Sequence, residues 1–316
     1  FDENEAEFPP EELEEAKDFP GVWSLMSERT ADDSGQSVIG MLITMAENWG
    51  DYSVRMRKGR GVGLGNAALA ASGTEEQRQK WGGLLLSMAI TEPGCGSDPS
   101  LVQTTAVLDE ATDEWIINGE KIFVTTGCRS DGVVLWATLD RAAGRAGIKS
   151  FLVEKDTPGF EGSHKEKKLG IRADDTATYV FRDCRIPRAN LLGGKEEIPK
   201  AGSGGFRGVM KTFNMTRPMT AAFGLGMSQA ALDFTREQLE QAGVDLTYGS
   251  TGHGLSAAAA KFQRLEALQE AAELTVLHAA DLSDKGEPNN LEASISKAKG
   301  GSAVREITQG LSLIHI

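Results

Sequence analysis

Apolar positions change their spacing twice along the 316-residue chain. Residues 1–86 favour helices, residues 87–195 favour short strands, and helical spacing returns in residues 196–316. This order predicts an α+β protein of three domains with those boundaries. The helices predicted in the first domain are Glu11–Lys17, Val38–Asn48, Ala67–Ser72 and one capped by Thr74.

The middle region predicts a small antiparallel barrel or sandwich. Its β-branched and aromatic runs are short and are separated by Gly, Asp and Asn, as in such sheets. Asn118-Gly119 stands between two runs and predicts a hairpin turn. The predicted strands are Thr104–Leu108, Trp115–Ile117, Ile122–Thr125, Val133–Thr138, Ser150–Val153 and Tyr179–Phe181.

The last region predicts an incomplete helical bundle. Helices are expected at Met219–Ala242 and Leu255–Leu282, followed by a polar turn at Asp284–Asn290. A weaker helix, Leu291–Leu311, is expected to be interrupted at Gly300-Gly301. The apolar stripe of the second helix consists of Phe262, Leu265, Leu268, Leu274 and Leu277.

Charge and composition exclude several classes of protein. The net charge of −13 argues against nucleic-acid binding, which needs a surplus of Lys and Arg. No apolar run reaches 18 residues, and the acidic start differs from a signal peptide. Cys95, Cys128 and Cys184 show no metal-binding spacing, so we expect free thiols, no metal and a cytoplasmic location.

A loop of small residues follows the apolar segment that begins the middle region. The sequence Met88-Ala89-Ile90-Thr91-Glu92-Pro93-Gly94-Cys95-Gly96-Ser97-Asp98 predicts a strand end and then exposed backbone N–H groups and hydroxyls. Pro93 disfavours helical geometry at Glu92, and Gly94 and Gly96 permit turns with positive φ. Such a loop can contact a large polar ligand, although a plain connecting loop can have the same composition.

Four segments together resemble the acyl-CoA dehydrogenase family, in its order and spacing. The loop matches the family's T-E-P-x-x-G-S-D, and Ile117–Gly127 matches I-N-G-x-K-x-[WF]-[IV]-T-x-G. Leu169–Arg172 with Phe181–Pro187 resembles the family's G-x-R and F-x-D-V-x-V-P segments. Asn214–Pro218 resembles the start of its Gly/Ala-rich helix. The resemblance implies the same α, then β, then α architecture.

The resemblance implies FAD as the cofactor and an acyl-CoA thioester as the substrate of an α,β-dehydrogenation. Ile90 and Thr91 would border the pyrimidine end of the flavin, and Thr125 would hydrogen-bond its N5 edge. Phe123 stands where many members carry Trp, and Ser97 would lie between flavin and substrate. The full set of implied cofactor contacts is Met88, Ile90, Thr91, Gly96, Ser97, Phe123, Val124 and Thr125.

The same resemblance implies the substrate side of the site and the partners. Arg217 would lie at the active site and Asn214 near the CoA pantetheine, with electrons passed to an electron-transfer flavoprotein. Thr216 stands where some members carry the catalytic base, so the base is expected to be a glutamate on a later loop. Members are typically homotetramers, and fatty acid metabolism is the implied context.

Departures from the family pattern motivate further expectations. The expected glutamate would follow Ile316, so we interpret the chain as a fragment truncated at both ends, with weak flavin binding and little activity. Residues 248–255 lack the arginine that reaches the FAD pyrophosphate, and His253 is the nearest substitute. These departures leave a non-catalytic scaffold or binding subunit open as an alternative. A family relative that reoxidises its flavin with O2, an oxidase or monooxygenase, also stays open, because O2 access depends on cavity shape.

Three smaller hypotheses concern residues outside these motifs or within the loop. Glu92 and Asp98 are rejected as an acid/base pair, because Asp98 suits a loop or helix cap. Gly63-x-Gly65-x-x-Ala68 imitates a dinucleotide fingerprint but lacks a preceding strand, so we interpret it as a helix-start glycine pair. Met41, Leu42 and Met45 could line an acyl pocket.

Overall fold

The computed structural model describes residues 36–50, 60–61, 63–172, 174–198, 206–249 and 254–315. The helix expected at Glu11–Lys17 and the possible cofactor contact of His253 lie outside these residues. Two compact units divide the described chain: one holds the residues from 60 to 212, and the other holds residues 36–50 and 213–315. The three-domain division at residues 86 and 195 stays a prediction.

Among the described residues, three helices precede the sheet: α1 is Gln36–Glu47, α2 is Leu64–Ser72 and α3 is Glu75–Trp81. The cap predicted for α3 is confirmed, because the Thr74 hydroxyl accepts the Gln77 N–H at 3.2 Å. Gly63 and Gly65 begin α2, as expected. A Cβ on either glycine would lie 2.3 Å or 2.2 Å from a backbone oxygen of the first strand, so both permit that strand to approach.

Seven strands form one sheet in the first unit. Their bounds are β1 Leu86–Ala89, β2 Thr105–Asp109, β3 Glu114–Thr125, β4 Gly132–Thr138, β5 Ile148–Glu154, β6 Phe160–Lys165 and β7 Thr176–Pro187. The order is β1-β4-β2-β3-β7-β6, and β5 pairs with β4. Because β1 and β2 both lie parallel to β4, the sheet is mixed, and the expectation of an antiparallel sheet was wrong for these pairs.

The hairpin predicted at Asn118-Gly119 was also wrong, because β3 continues through both residues. A bulge in β7 is opposite them, where Asp183 has a φ of +47°. The Asn118 side chain satisfies the bulge by accepting the Asp183 N–H at 2.8 Å. Gly119 has a φ of +154° and lies against Thr104, whose Oγ1 would be 2.4 Å from an added Cβ. The Asn-Gly pair thus serves a bulge and a close contact.

Three helices make up most of the second unit: α4 Phe206–Gln241, α5 Ala257–Asp284 and α6 Asn290–His315. The helix expected from Met219 begins at Phe206 instead and contains Pro218 in its interior. The predicted interruption of the last helix is wrong as well. The helix continues through Gly300. An added Cβ at this position would lie 2.7 Å from the Cβ of Ala221, so the glycine permits close packing against α4.

Each unit has its own apolar core. Trp115, Phe151 and Tyr179 belong to the core of the sheet unit. In the helical unit, the buried positions of α5 follow a heptad-like spacing that includes Val276 and excludes Leu274, which is 59% exposed. The inclusion of Leu274 in the buried stripe was therefore wrong. Among the described helices, none is long and apolar enough to cross a membrane.

Candidate functional site

The loop after β1 is a tight turn closed by its own backbone. Glu92 and Cys95 exchange hydrogen bonds, with N–O distances of 2.9 Å and 3.0 Å. Asp98 then caps a short 3₁₀ helix by accepting the Ser100 N–H, as expected for a loop or cap residue. The expectation of positive φ at Gly94 and Gly96 was wrong. An added Cβ at either glycine would meet no atom within 4 Å, so both face open space.

A buried ion pair fixes this loop to β3. The Lys121 ammonium donates to Glu92 Oε1 at 2.8 Å and to the Ile90 carbonyl at 3.0 Å. Lys121 is 0% exposed and Glu92 is 5% exposed, so water screens neither charge. The Ile122 N–H also donates to the Thr91 carbonyl at 2.9 Å. These contacts hold two of the recognised motifs side by side.

Glu92 also accepts hydrogen bonds from two residues that follow the loop in the chain. Its Oε1 accepts the Thr104 N–H at 2.9 Å and the Thr104 hydroxyl at 2.6 Å, and its Oε2 accepts the Gln103 N–H at 2.6 Å. The hydrogen bonds of this buried carboxylate are all used to hold the loop in place. Its rejection as a catalytic acid or base agrees with this placement.

The pKa values of the pair show which effects compete. Burial raises the pKa of Glu92, but the Lys121 charge and the hydrogen bonds from Lys121, Thr104 and Gln103 outweigh it, so the net pKa lies below the ordinary value. Burial lowers the pKa of Lys121 to about 8, although Glu92 opposes that shift. Both groups are therefore charged at neutral pH.

A bulge in β3 presents Phe123 to solvent directly after the ion pair. Lys121 pairs with Tyr179 and Val124 pairs with Ala177, so β3 has one residue more than β7 in this interval. Phe123 takes up the extra length with a φ of +58°, which is strained for a bulky residue. The residue is 60% exposed, so Phe123 is not a buried aromatic of the strand.

The polar groups around the bulge suit a large heterocyclic ligand. The hydroxyls of Thr91, Ser97 and Thr125 form no hydrogen bond with any described residue. These uncommitted hydroxyls belong to the same two segments as the exposed Phe123 and the open glycines, residue types that can contact a planar, polar ring system. This donor set fits an isoalloxazine.

The other implied cofactor contacts differ in their burial. Ile90 and Met88 are half-buried, and Gly96 and Ser97 are exposed. Val124 is 1% exposed and belongs to the core, so its side chain points away from any ligand on this surface. Its part in cofactor contact can come only from its backbone.

The end of β3 is anchored from β7. Thr126 has a φ of +62° and donates its N–H to the Asp175 carbonyl at 2.8 Å. The Asp175 carboxylate accepts the Cys128 N–H and an Arg129 N–H, each at 2.5 Å. The bulge therefore lies between this half-exposed ion pair and the buried Glu92–Lys121 pair. The two pairs fix the backbone on either side of Phe123 and Thr125.

Asn214 and Arg217 form a separate pair on α4 in the helical unit. One face of α4 carries both residues, and Arg217 Nη1 donates to Asn214 Oδ1 at 3.3 Å. The guanidinium also lies 5.4 Å from the centre of the Phe213 ring, and the Asn214 amide donates to Asn290 at the start of α6. Arg217 has no carboxylate partner among the described residues, so its charge is open to a carboxylate or a ligand.

The residues proposed for an acyl pocket have different environments in the helical unit. Met41 is 7% exposed and is part of its core, with Met45 packed against that core. Leu42 is 49% exposed. Met41 therefore serves packing, and the acyl-pocket role of all three stays a prediction.

Sequence reasoning missed the Glu92–Lys121 ion pair. The sequence contained a signal for it. Side chains alternate between the two faces of a strand, and Lys121 is an even number of residues from the inward-facing Trp115 and Ile117. A lysine at an inward position of a strand requires a buried acceptor. The glutamate of the neighbouring loop was the candidate.

Comparisons with known proteins agree with this geometry. The model of the acyl-CoA dehydrogenase middle domain matches residues 87–184, and that of the C-terminal domain matches residues 203–315. Acryloyl-CoA reductase (NADH) of Anaerotignum propionicum is 33% identical over 254 residues, covering 78% of this chain and 62% of that protein. The caffeyl-CoA reductase–Etf complex subunit CarC of Acetobacterium woodii is 31% identical, covering 99% and 81%.

A solved structure shows the same similarity. Butyryl-CoA dehydrogenase from Megasphaera elsdenii superposes with a TM-score of 0.78 at 28% identity, covering 93% of this chain and 76% of that one. The chain belongs to the acyl-CoA dehydrogenase family. It spans less than two thirds of the length of the first relative above. The family is FAD-dependent, which confirms the expected cofactor, and the loop and bulge fit its flavin.

Proposed function

We propose that the protein catalyses FAD-dependent α,β-dehydrogenation of an acyl-CoA thioester. The observation that carries this proposal is the pairing of the Thr91 loop with the β3 bulge through the buried Lys121–Glu92 ion pair. In this proposal, the pairing presents the uncommitted hydroxyls and the exposed Phe123 on one surface. A flavin bound there supplies the acceptor for the hydride that leaves the β-carbon.

The chain's own residues would orient the cofactor and polarise its edge. Thr125 lies two residues beyond Phe123 and can donate its hydroxyl to a ring nitrogen or oxygen. Thr91 can do the same from the opposite segment, because its carbonyl is fixed to β3 at Ile122. Donors aimed at atoms that gain electron density favour reduction of the bound group. Phe123 would exclude water from one side of the ring.

Asn214 and Arg217 are proposed to serve the thioester side. A guanidinium with no carboxylate partner among the described residues can hold the charge of a catalytic carboxylate or of a substrate. The Asn214 amide donates to Asn290 and accepts from Arg217, so it fixes the guanidinium with respect to α6. Ser97 is proposed to contact both cofactor and substrate.

A second candidate reverses the direction. Two relatives are named as reductases of unsaturated CoA thioesters, acryloyl-CoA and caffeyl-CoA, and one of them is a subunit of a complex with an electron-transfer flavoprotein. The same site would then return a hydride to the β-carbon of an enoyl-CoA. An electron-transfer flavoprotein is the proposed redox partner in either direction, with a homotetramer as the proposed assembly.

Anaerobic titration tests the proposal. The complete protein, purified with FAD, is mixed with butyryl-CoA in the absence of oxygen, and the visible flavin absorption is followed. Bleaching by butyryl-CoA, followed by recovery of the absorption when oxidised electron-transfer flavoprotein is added, supports the dehydrogenase. Fast recovery in air alone supports the oxidase alternative. Failure of the protein to retain flavin or to bleach with acyl-CoA of any chain length would contradict the proposal and favour a binding subunit.

A further inference from the structure

The sheet unit contains a cavity that shares no residue with the cofactor-binding set. It has a volume of about 370 Å³ and opens beside β6 and β7. Ligand sites in proteins have volumes from about 300 Å³ upward, so this one could hold a small organic molecule. The lining consists of Gly127, Cys128, Ser130, Lys155, Asp156, Phe160, Gly162, Lys165, Ala177 and Tyr179.

The floor of the cavity is rigid. Tyr179 is 2% exposed, and its hydroxyl donates to the Gly127 carbonyl at 2.6 Å and lies 3.1 Å from both Ser87 Oγ and Ser130 Oγ. Phe160 meets the Tyr179 ring edge-on, with centroids 4.8 Å apart. These contacts fix two aromatic rings as an apolar wall.

A glycine keeps the cavity open above that wall. Gly162 of β6 pairs with Tyr179, and an added Cβ would lie 3.6 Å from Tyr179 Cε1. A larger side chain at this position would occupy part of the cavity beside Tyr179 and Phe160. The absence of a side chain here therefore keeps that space open.

Two ammonium groups at the rim have no partner of opposite charge in contact. Neither the Lys155 nor the Lys165 ammonium group forms a hydrogen bond or ion pair with any described residue. Lys155 follows β5 in a turn whose backbone is fixed by its N–H bond to the Asp131 carbonyl at 2.8 Å. Lys165 ends β6 opposite Ala177. Their positions are thus set by the backbone.

Nearby carboxylates are mostly engaged elsewhere. Asp175 is bound by Arg129, Glu154 accepts the Trp81 indole N–H at 2.9 Å, and Glu161 pairs with Arg182 at 3.0 Å. Asp156 is the one carboxylate among the lining residues. Among the lining residues, two lysines outnumber one aspartate. Asp131 also lies within electrostatic range of Lys155, but it is itself paired with Arg60 at 2.9 Å.

We propose that this cavity binds an aromatic phosphate monoester. The phosphate would lie between the Lys155 and Lys165 ammonium groups, which act as point-charge donors to phosphate oxygens. The aromatic body would lie in the space beside Gly162, against Phe160. A bare inorganic phosphate would fill only a fraction of about 370 Å³, so the organic body is needed to displace the water.

The chain contains a reporter for this site. Cys128 lines the cavity and is exposed, whereas Cys95 and Cys184 are buried. An uncharged reagent, N-ethylmaleimide, should therefore alkylate Cys128 first, and a ligand in the cavity should slow that reaction. The Cys128→Ser variant identifies the labelled position, and peptide mass spectrometry counts the modified thiols.

The test measures alkylation of the complete FAD-loaded protein with increasing phenyl phosphate. We expect saturable slowing that phenol at the same concentration does not give. In the Lys155→Ala/Lys165→Ala variant, the half-saturating concentration should rise about tenfold or more, as for loss of one charge-assisted hydrogen bond. Protection is compared with and without ligand within each variant, so altered intrinsic reactivity cancels. The control variant Lys297→Ala/Lys299→Ala removes two charges from α6 and should retain wild-type protection.

Several results would overturn the proposal. Protection by phenol or by sodium chloride of equal ionic strength would show that no anion site exists. Equal protection by benzoate would remove the assignment to phosphate. Protection that appears only after FAD is removed would show that the cavity belongs to the cofactor's cleft.

Discussion

Removal of the Lys121 charge should destabilise the fold and weaken cofactor binding through different contacts. Lys121→Met keeps the side-chain length but leaves Glu92, 5% exposed, without its cation. Breaking one side of a buried pair costs about 3–5 kcal/mol, because the remaining charge is uncompensated. The neutral double variant Glu92→Gln/Lys121→Met removes the uncompensated charge. It leaves the Ile90 carbonyl without its donor and turns the new amide nitrogen toward a backbone N–H of Gln103 or Thr104. Each neutral defect costs about 1–3 kcal/mol. The second substitution exchanges the uncompensated charge for one such defect, so it should recover part of the lost stability.

FAD affinity should not recover in the double variant. The Lys121 bond to the Ile90 carbonyl holds the segment that includes Thr91, and its loss should weaken FAD binding about tenfold in both variants. Urea unfolding measures the stability, and flavin fluorescence titration measures the affinity.

The exposed ion pair of Arg182 and Glu161 in the same unit provides a matched control. Its side chains are 70% and 61% exposed, so Arg182→Met should change neither quantity measurably. The reasoning is refuted if Lys121→Met unfolds at the wild-type urea concentration. Recovery of both stability and FAD affinity in the double variant would refute the positioning role.

Three further predictions concern β3 and its partners. Gly119→Ala should lower the free energy of unfolding by about 1–3 kcal/mol, because the new Cβ would lie 2.4 Å from Thr104 Oγ1. The control Gly83→Ala, whose Cβ would meet nothing within 4 Å, should have little effect in the same urea experiment. Thr125→Val should weaken FAD binding several-fold with an unchanged unfolding midpoint, since its hydroxyl bonds to no described residue; equal affinity would contradict a cofactor contact. In the folded protein the pKa of Lys121 is about 8, compared with the ordinary value of 10.5. Between these pH values Lys121 is therefore protonated more in the unfolded state than in the folded state. Stability of the wild type relative to the neutral double variant should therefore rise with pH in this window, and a fall in paired urea titrations would reverse the assigned shift.

Local sequence signals predicted much of the sheet unit. The Thr74 cap, the Gly63 and Gly65 pair and the end of β1 depend on contacts between near neighbours in the chain or on small residues at a helix start. The alternation of inward and outward residues along β3 also predicts that Lys121 points inward. These features follow from short-range chemistry, which a single sequence records.

The rest depended on partners that are distant in the chain. The outward turn of Phe123 arises because β3 has one residue more than β7 between two paired positions, and a single strand does not reveal its partner's register. Gly300 likewise resembles a helix breaker until Ala221 of α4 is placed against it. In the candidate site, the residue types were predictable, but the bulge and the ion pair that position them were not.

Amide hydrogen exchange with and without FAD tests the central claim most directly. The complete protein is compared in both states, and peptides are followed across the sheet unit. The account predicts that FAD slows exchange in residues 90–97 and 122–126, where the Thr91 loop meets the β3 bulge, and leaves β5 unchanged. Protection confined to other segments, with these two unaffected, would contradict the assignment of this surface to the flavin.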